Sequence, residues 1–291
     1  MINLKGLGVA MVTPFNADMS IDFESLKKLT HYLIDNGVHY LVVQGTTGES
    51  PVLSEQEKLA VLDTVIKENA GRLPIVYGIG GNNTQQVAKQ LAEFDVPGVD
   101  AILSVSPYYS KPTQEGIFQH FKTLAANSKL PIILYNVPGR TSSNMLPETT
   151  LRLAKTCENI IGIKEACGDL NQVMHLIKDK PMDFYIISGD DDLALPFINI
   201  GGDGVISVIG NGLPKAFSNM INAALNNDII TARKFHYQCF PLIYHLFSEG
   251  NPAGIKEVLK YYNITETTVR LPLMNVSATT KGKIVEILNN L

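Results

Sequence analysis

The chain has little cysteine, no long apolar run and no excess of positive charge. Its three cysteines, Cys157, Cys167 and Cys239, are widely spaced and odd in number. They form neither a zinc pattern nor a disulfide framework, so a reducing, cytoplasmic location is expected. No apolar stretch approaches the roughly 20 residues of a membrane helix. Met1 to Gly8 lacks the basic-then-apolar layout of a signal peptide. A net charge of -4 over 291 residues offers no general attraction for nucleic acid or an anionic membrane. What remains is ordinary globular material, 45% hydrophobic and 18% charged, long enough for one large α/β domain with an appendage.

Strand and helix patterns alternate from the start. Expected strands cover 7–12, 40–43, 74–79, 99–105, 131–135, 160–166, 184–188 and 204–208. Expected helices cover 22–36, 54–69, 84–95, 113–127, 147–157, 169–178, a stretch ending at 200, and 215–226. Ser54 with Glu57 forms a capping box at the start of the second helix. Eight strands and eight helices in strict order predict a parallel (β/α)8 TIM barrel over residues 1–226. A doubly wound open sheet is the alternative, but it wants a phosphate fingerprint after its first strand, and Val12-Thr13-Pro14-Phe15 supplies none. Residues 227–291 carry only helical patterns, at 228–247 (interrupted by Pro241), 255–262 and 284–291, and predict a small C-terminal helical extension.

The most unusual stretch is Ile160-Ile161-Gly162-Ile163-Lys164-Glu165-Ala166. It reads as a buried strand with a lysine near its end, although desolvating an ammonium is costly. Alternation places Lys164 on one face with Gly162 and Ala166, and Ile161, Ile163 and Glu165 on the other. Small neighbours leave room beside the amine. Burial there would lower its pKa and suit it to Schiff-base chemistry. The plainer reading is a strand-end lysine that reaches water or meets a carboxylate.

Barrel active sites lie at the C-terminal ends of the strands. Thr46 and Thr47 follow the second strand, Tyr108 and Tyr109 the fourth, and Gly189 the seventh. Tyr135 ends the fifth strand, Arg140 lies in the loop after it, and Lys164 ends the sixth. Each has a structural alternative. Gly45-Thr46-Thr47-Gly48 would serve as a tight turn, Tyr135 as a core aromatic, and Tyr108-Tyr109 as interface packing. Asp190-Asp191-Asp192 looks metal-like, but is expected to cap the helix after the seventh strand. No histidine falls on this rim, so neither a divalent metal nor a Ser-His-Asp triad has its material. A lysine imine can act as electron sink without a metal or other cofactor. Tyr135 and Thr46 could move protons, and Arg140 could grip a carboxylate. The residues alone therefore suggest a Schiff-base aldolase or lyase acting on a 2-oxo acid.

The chain resembles the dihydrodipicolinate synthase family of pyruvate-dependent class I aldolases. The resemblance rests on Gly45-Thr46-Thr47-Gly48-Glu49-Ser50, Pro107-Tyr108-Tyr109, Tyr135-Asn136-Val137-Pro138, Arg140-Thr141, Gly162-Ile163-Lys164-Glu165-Ala166, Ser188-Gly189-Asp190-Asp191 and Gly204-Val205-Ile206-Ser207-Val208. It extends to Arg270-Leu271-Pro272-Leu273. It implies condensation of pyruvate with L-aspartate-4-semialdehyde on the way to lysine and diaminopimelate. Lys164 would form the imine, and Thr46 and Thr47 would hold the pyruvate carboxylate. Tyr135, Thr46 and Tyr109 would relay protons, with Tyr109 reaching in from a neighbouring subunit of a homodimer or of a tetramer built as a dimer of dimers. Arg140 would bind the semialdehyde carboxylate, and Gly189 and Ile206 would line the pyruvate pocket.

Gly139, Cys167 and Asn251-Pro252-Ala253-Gly254 depart from the usual family residues without touching that chemistry. The rival is a sister lyase for N-acetylneuraminate or a 2-keto-3-deoxy sugar acid, which would not need Arg140. The family's lysine-effector site would map to Ser50, Lys58, Asn82, Gln86 and Tyr108. Lys58 and Gln86 replace the usual His and Glu, which implies weak feedback by lysine. The alternative there is that Lys58 points to solvent while Glu55 or Glu49 supplies the missing negative charge.

Overall fold

Eight parallel strands pair in chain order, and the first pairs with the last, which closes the sheet into a barrel. The computed structural model describes residues 2–291. Its strands are β1 (Gly6–Ala10), β2 (Tyr40–Val43), β3 (Ile75–Gly78), β4 (Ala101–Val105), β5 (Ile132–Asn136), β6 (Ile160–Glu165), β7 (Tyr185–Ser188) and β8 (Gly204–Ser207). The surrounding helices are α1 (Phe23–Asp35), α2 (Glu55–Asn69), α3 (Thr84–Glu93), α4 (Gln114–Asn127), α5 (Pro138–Thr141), α6 (Pro147–Thr156), α7 (Leu170–Asp179), α8 (Ala194–Asn199) and α9 (Pro214–Leu225). Three more follow: α10 (Ile229–Phe247), α11 (Ala253–Tyr261) and α12 (Ala278–Asn289). The expected barrel and its helical extension are therefore present, with most element ends within a residue or two of the sequence reading.

Alternation along the strands divides the apolar residues into two cores. Tyr40, Val42, Val76, Leu103, Ile133, Ile187 and Ile206 fill the barrel interior. Leu7, Leu41, Ile75, Ile102, Ile132, Ile163 and Ile186 face outward and meet the helices. Gly8 lies under Tyr40. A Cβ there would come within 2.2 Å of the Tyr40 ring, so the interior takes the ring only because position 8 has no side chain.

Three local expectations change. The β5–β6 register pairs Ile132 with Ile160 but Ile133 with Gly162, so Ile161 is an extra residue. This irregularity turns Ile161 toward the interior cluster, away from the face it was expected to share with Ile163. The space at Gly162 is also taken, because a Cβ there would lie 2.8 Å from Tyr185. Finally, α10 runs unbroken through Pro241.

The extension packs α10 against α8 and α9, and α12 against α10 and α11. Its apolar residues, such as Leu242, Ile255 and Ile284, join the same cluster that lies between sheet and helices. It is also tied to the rim by charge. Lys256 Nζ lies 2.6 Å from Glu49 Oε1, and both side chains are fully buried. Lys256 also donates to the Thr268 carbonyl at 2.7 Å, and Glu49 Oε2 accepts from Arg270 N at 2.9 Å. The Arg270 guanidinium makes two bonds to Glu57, at 2.5 and 2.9 Å, and holds that carboxyl down at about 2. Phe15 receives both cations against its ring, at 4.4 Å from Lys256 Nζ and 4.5 Å from Arg270 Cζ.

Removing one partner of a buried ion pair leaves an uncompensated charge, which costs about 3–5 kcal/mol. Lys256→Met should therefore lower the unfolding free energy by that amount, read as a lower urea midpoint, and adding Glu49→Gln should recover part of it. An unchanged midpoint in the single variant would show that the pair contributes nothing to stability.

Candidate active site

The strand ends open on a cavity of about 270 Å³. Gly45 and Thr46 from the turn after β2, Leu103 and Val105 of β4, Tyr108, Tyr135 and Arg140 all line it. Among the described residues no Asp or Glu lines this space, whereas Arg140 and Lys58 both do. Its electrostatic preference is therefore for small anions.

Lys164 stands beside Tyr135 in the β5–β6 register. Its side chain is 6% exposed, and its Nζ lies 4.4 Å from the centre of the Tyr135 ring. Lys164 does not itself line the open cavity, whereas Tyr135 belongs to both places. Gly189 supplies the room beside the lysine. A Cβ there would lie 2.6 Å from Ala166 Cβ and 3.0 Å from Lys164 Cε. The room expected from Gly162 thus comes from the turn after β7. Ile206 is fully buried in the interior layer.

Asp190 and Asp191 lie behind Gly189. Burial pushes each carboxyl up to about 6, with the Lys164 ammonium opposing the rise. Asp191 does not cap α8, as the sequence suggested. Its Oδ2 accepts from Val208 N at 3.0 Å and Ile209 N at 2.8 Å, and so caps the short turn after β8. Those amides are buried and need an acceptor, and the start of α8 is left without a side-chain cap. Among the described residues no group of three His, Cys, Asp or Glu could hold a metal.

The Thr46-Thr47 turn is a single tight coil, closed by Gly48 N to Gly45 O at 3.0 Å and Glu49 N to Thr46 O at 3.1 Å. Thr46 is exposed toward the cavity, while Thr47 is buried. Thr47 Oγ1 accepts from Asn251 Nδ2 of the extension at 2.9 Å. The coil ends at Glu49 in a left-handed conformation, φ 55°, fastened by Lys256. Arg140 rides on the short helix α5, where only a loop was expected.

Tyr109 is 89% exposed, with φ 73°, and contributes nothing to the cavity of its own chain. Among the proposed effector positions, Ser50, Lys58 and Tyr108 line the cavity, whereas Asn82 and Gln86 do not. Asn82 instead donates to the Tyr108 carbonyl at 3.2 Å. Gln90, one turn beyond Gln86, takes the place on the wall. Lys58 does not simply reach solvent. It is 18% exposed and pairs with Glu55 at 2.8 Å.

Two groups of residues around the site escaped the sequence reading. Asn251 and Lys256 carry no local signal, since their partners are more than 200 residues away. Asn136 and Glu165 did carry one: both are polar residues at strand ends on the face that helices cover, where a buried polar group needs partners. Asn136 Nδ2 donates to Glu165 Oε1 at 2.8 Å.

An interior ammonium detracts from folding stability. Lys164→Met keeps the volume and removes the desolvation, so it should raise the urea-derived stability by about 0.5–2 kcal/mol. A loss of similar size would mean that the ammonium is fully compensated where it stands.

The chain and its fold have close counterparts. The family model described as the dihydrodipicolinate synthetase family matches residues 3–291. The 4-hydroxy-tetrahydrodipicolinate synthase of Flavobacterium psychrophilum is 56% identical over 272 residues, covering 94% of this chain and 93% of that protein. The crystal structure of the chloride-inhibited dihydrodipicolinate synthase from Acinetobacter baumannii complexed with pyruvate has TM-score 0.95 and 38% identity, and covers 99% of each chain. The lysine-bound enzyme of Cyanidioschyzon merolae has TM-score 0.93 and 33% identity, with 99% of this chain and 98% of that one covered. With residues 3–291 matched by the family model and a relative 56% identical over 94% of the chain, the chain belongs to the dihydrodipicolinate synthetase family.

Proposed function

We propose that this chain condenses pyruvate with L-aspartate-4-semialdehyde through an imine on Lys164. The observation that carries this reading is Lys164 enclosed beside Tyr135 at the edge of a cavity whose walls hold cations and no carboxylate. The amine attacks the pyruvate carbonyl carbon, and loss of water leaves the imine. Proton loss from the methyl group then gives the enamine, whose terminal carbon attacks the aldehyde of the second substrate. Tyr135 touches both the lysine and the cavity, which suits it to carry protons between them. Thr46 offers its hydroxyl to the relay, and the turn it shares with Thr47 suits the pyruvate carboxylate. Gly189 leaves open the space next to the lysine, and Ile206, buried in the interior layer, is assigned to the wall of the same pocket. Arg140, on the cavity wall, suits the carboxylate of the semialdehyde and favours this reading over a sugar-acid lyase.

Tyr109 projects from the rim into solvent and completes the relay only from a second subunit. The proposed active form is therefore a homodimer at least. Nothing in the chemistry requires a cofactor. Among the described residues no helix is long and apolar enough to cross a membrane.

Borohydride added with pyruvate should fix a stable mass on the Lys164 peptide. Arg140→Ala should keep this trapping while losing most of its kcat/KM for the semialdehyde. Label on another lysine would refute the assignment of Lys164, and equal loss of both steps would refute that of Arg140.

Lysine feedback is the regulatory part of the proposal. Glu49 is engaged by Lys256 and Glu55 by Lys58, so neither is free for an incoming ammonium. Gln86 lies off the wall and carries only a dipole. Free lysine should therefore inhibit weakly or not at all in a steady-state assay. Strong inhibition at sub-millimolar lysine would contradict this view of Lys58 and Gln86.

A further inference from the structure

The segment that carries Arg140 leaves the barrel after Asn136 and returns at Met145. Both ends meet one side chain. Asn136 Oδ1 accepts from Met145 N at 3.0 Å, and its Nδ2 donates to Asn144 Oδ1 at 2.7 Å. The same amide donates to Glu165 Oε1 at 2.8 Å. Glu165 Oε2 accepts from Gln172 Nε2 of α7 at 3.0 Å, and Gln172 Oε1 accepts from Asn144 Nδ2 at 2.8 Å. The ring of bonds thus runs from β6 through β5 and the neck of the segment to α7 and back.

Its position relative to the chemistry follows from the sheet. Asn136 pairs with Glu165 one step after Tyr135 pairs with Lys164. Alternation turns Tyr135 and Lys164 inward and turns Asn136 and Glu165 outward, beneath the segment. Asn136 is 0% and Glu165 1% exposed. The groups that face Glu165 are the two neutral amides of Asn136 and Gln172, the Cys167 thiol and, more remotely, the Asp190 carboxyl; none of them is a cation. Burial pushes Glu165 up to about 7, against the pull of the two amide donors and the thiol. Such a carboxylate is costly to bury, so its two acceptor oxygens need a use.

We propose that Glu165 is a positioning residue: through Asn136 and Gln172 it holds the neck of the 137–145 segment and so fixes Arg140 relative to Lys164. This rests on the reading of Arg140 as the grip for the second substrate and of Lys164 as the imine former. In the ionised form both Glu165 oxygens accept. In Glu165→Gln one of them becomes an NH2 that faces another NH2, and the neck loosens.

The test combines steady-state kinetics with borohydride trapping in Glu165→Gln, Arg140→Ala and the double variant. Glu165→Gln should raise KM for the semialdehyde about tenfold, the loss of one charge-assisted bond. It should leave pyruvate trapping at Lys164 within about twofold. The double variant should be no worse than Arg140→Ala alone, since Glu165 acts through Arg140. In the unaltered enzyme, KM for the semialdehyde should rise as pH falls through about 7 and Glu165 takes up a proton; this limb should vanish in Glu165→Gln.

If Glu165→Gln does not fold, Gln172→Met at the edge of the ring carries the same test. Equal loss of trapping and semialdehyde kinetics, additive losses in the double variant, or an unchanged KM would each overturn the proposal. A neutral Arg140→Ala would instead overturn the reading on which it rests.

Discussion

An ammonium inside a closed sheet is the constraint around which this molecule is arranged. The barrel interior is otherwise filled by Val, Leu, Ile and Tyr side chains, which cannot solvate a charge. Lys164 is tolerated because the Tyr135 ring lies against its amine, and because Gly189 and Ala166 leave space that another residue type would fill. Two carboxyls follow Gly189, Asp190 and Asp191; burial raises both to about 6, and neither forms an ion pair with the lysine among the described residues. A fully paired lysine would be stable and inert. This one is partly compensated, and the two cores around it supply the stability that it removes.

The polar groups divide by strand face. Inward residues meet the cavity or the lysine: Tyr135, Lys164 and, beyond the strand end, Thr46. Outward residues one step further along, Asn136 and Glu165, meet each other, the loops and Gln172 of α7. Thr46 and Thr47 repeat the division within one turn, since one hydroxyl is exposed to the cavity and the other is bonded to Asn251. Rigid support lies directly behind each functional group, as expected where geometry must hold to a fraction of an ångström.

The fold was legible because its signals are local. Alternating apolar runs, the Ser54–Glu57 box and the strand-then-helix rhythm each act over a few residues, and each is present in the structure. The candidate residues were legible for the same reason: they are odd types at strand ends. What escaped depends on partners elsewhere. Ile161 changes face because β5 and β6 pair with one residue to spare, which neither strand reveals alone. Asp191 looked like the cap of the helix just after it, but the amides after β8 were in closer need. The Arg140 helix is four residues long, too short for any periodic signal.

The Glu49–Lys256 bond spans 207 positions of the chain, and Arg270 closes on Glu49 and Glu57 from further still. During synthesis the Thr46-Thr47 coil emerges early, while its fastenings arrive only near the end. At roughly 5–20 residues per second, the ribosome needs on the order of ten seconds or more to make that stretch. Through that interval the Glu49 carboxylate has no counter-ion and the Thr47 hydroxyl has no donor. Catalytic competence is therefore a late event in the life of each chain, and a half-made copy has no finished site with which to act.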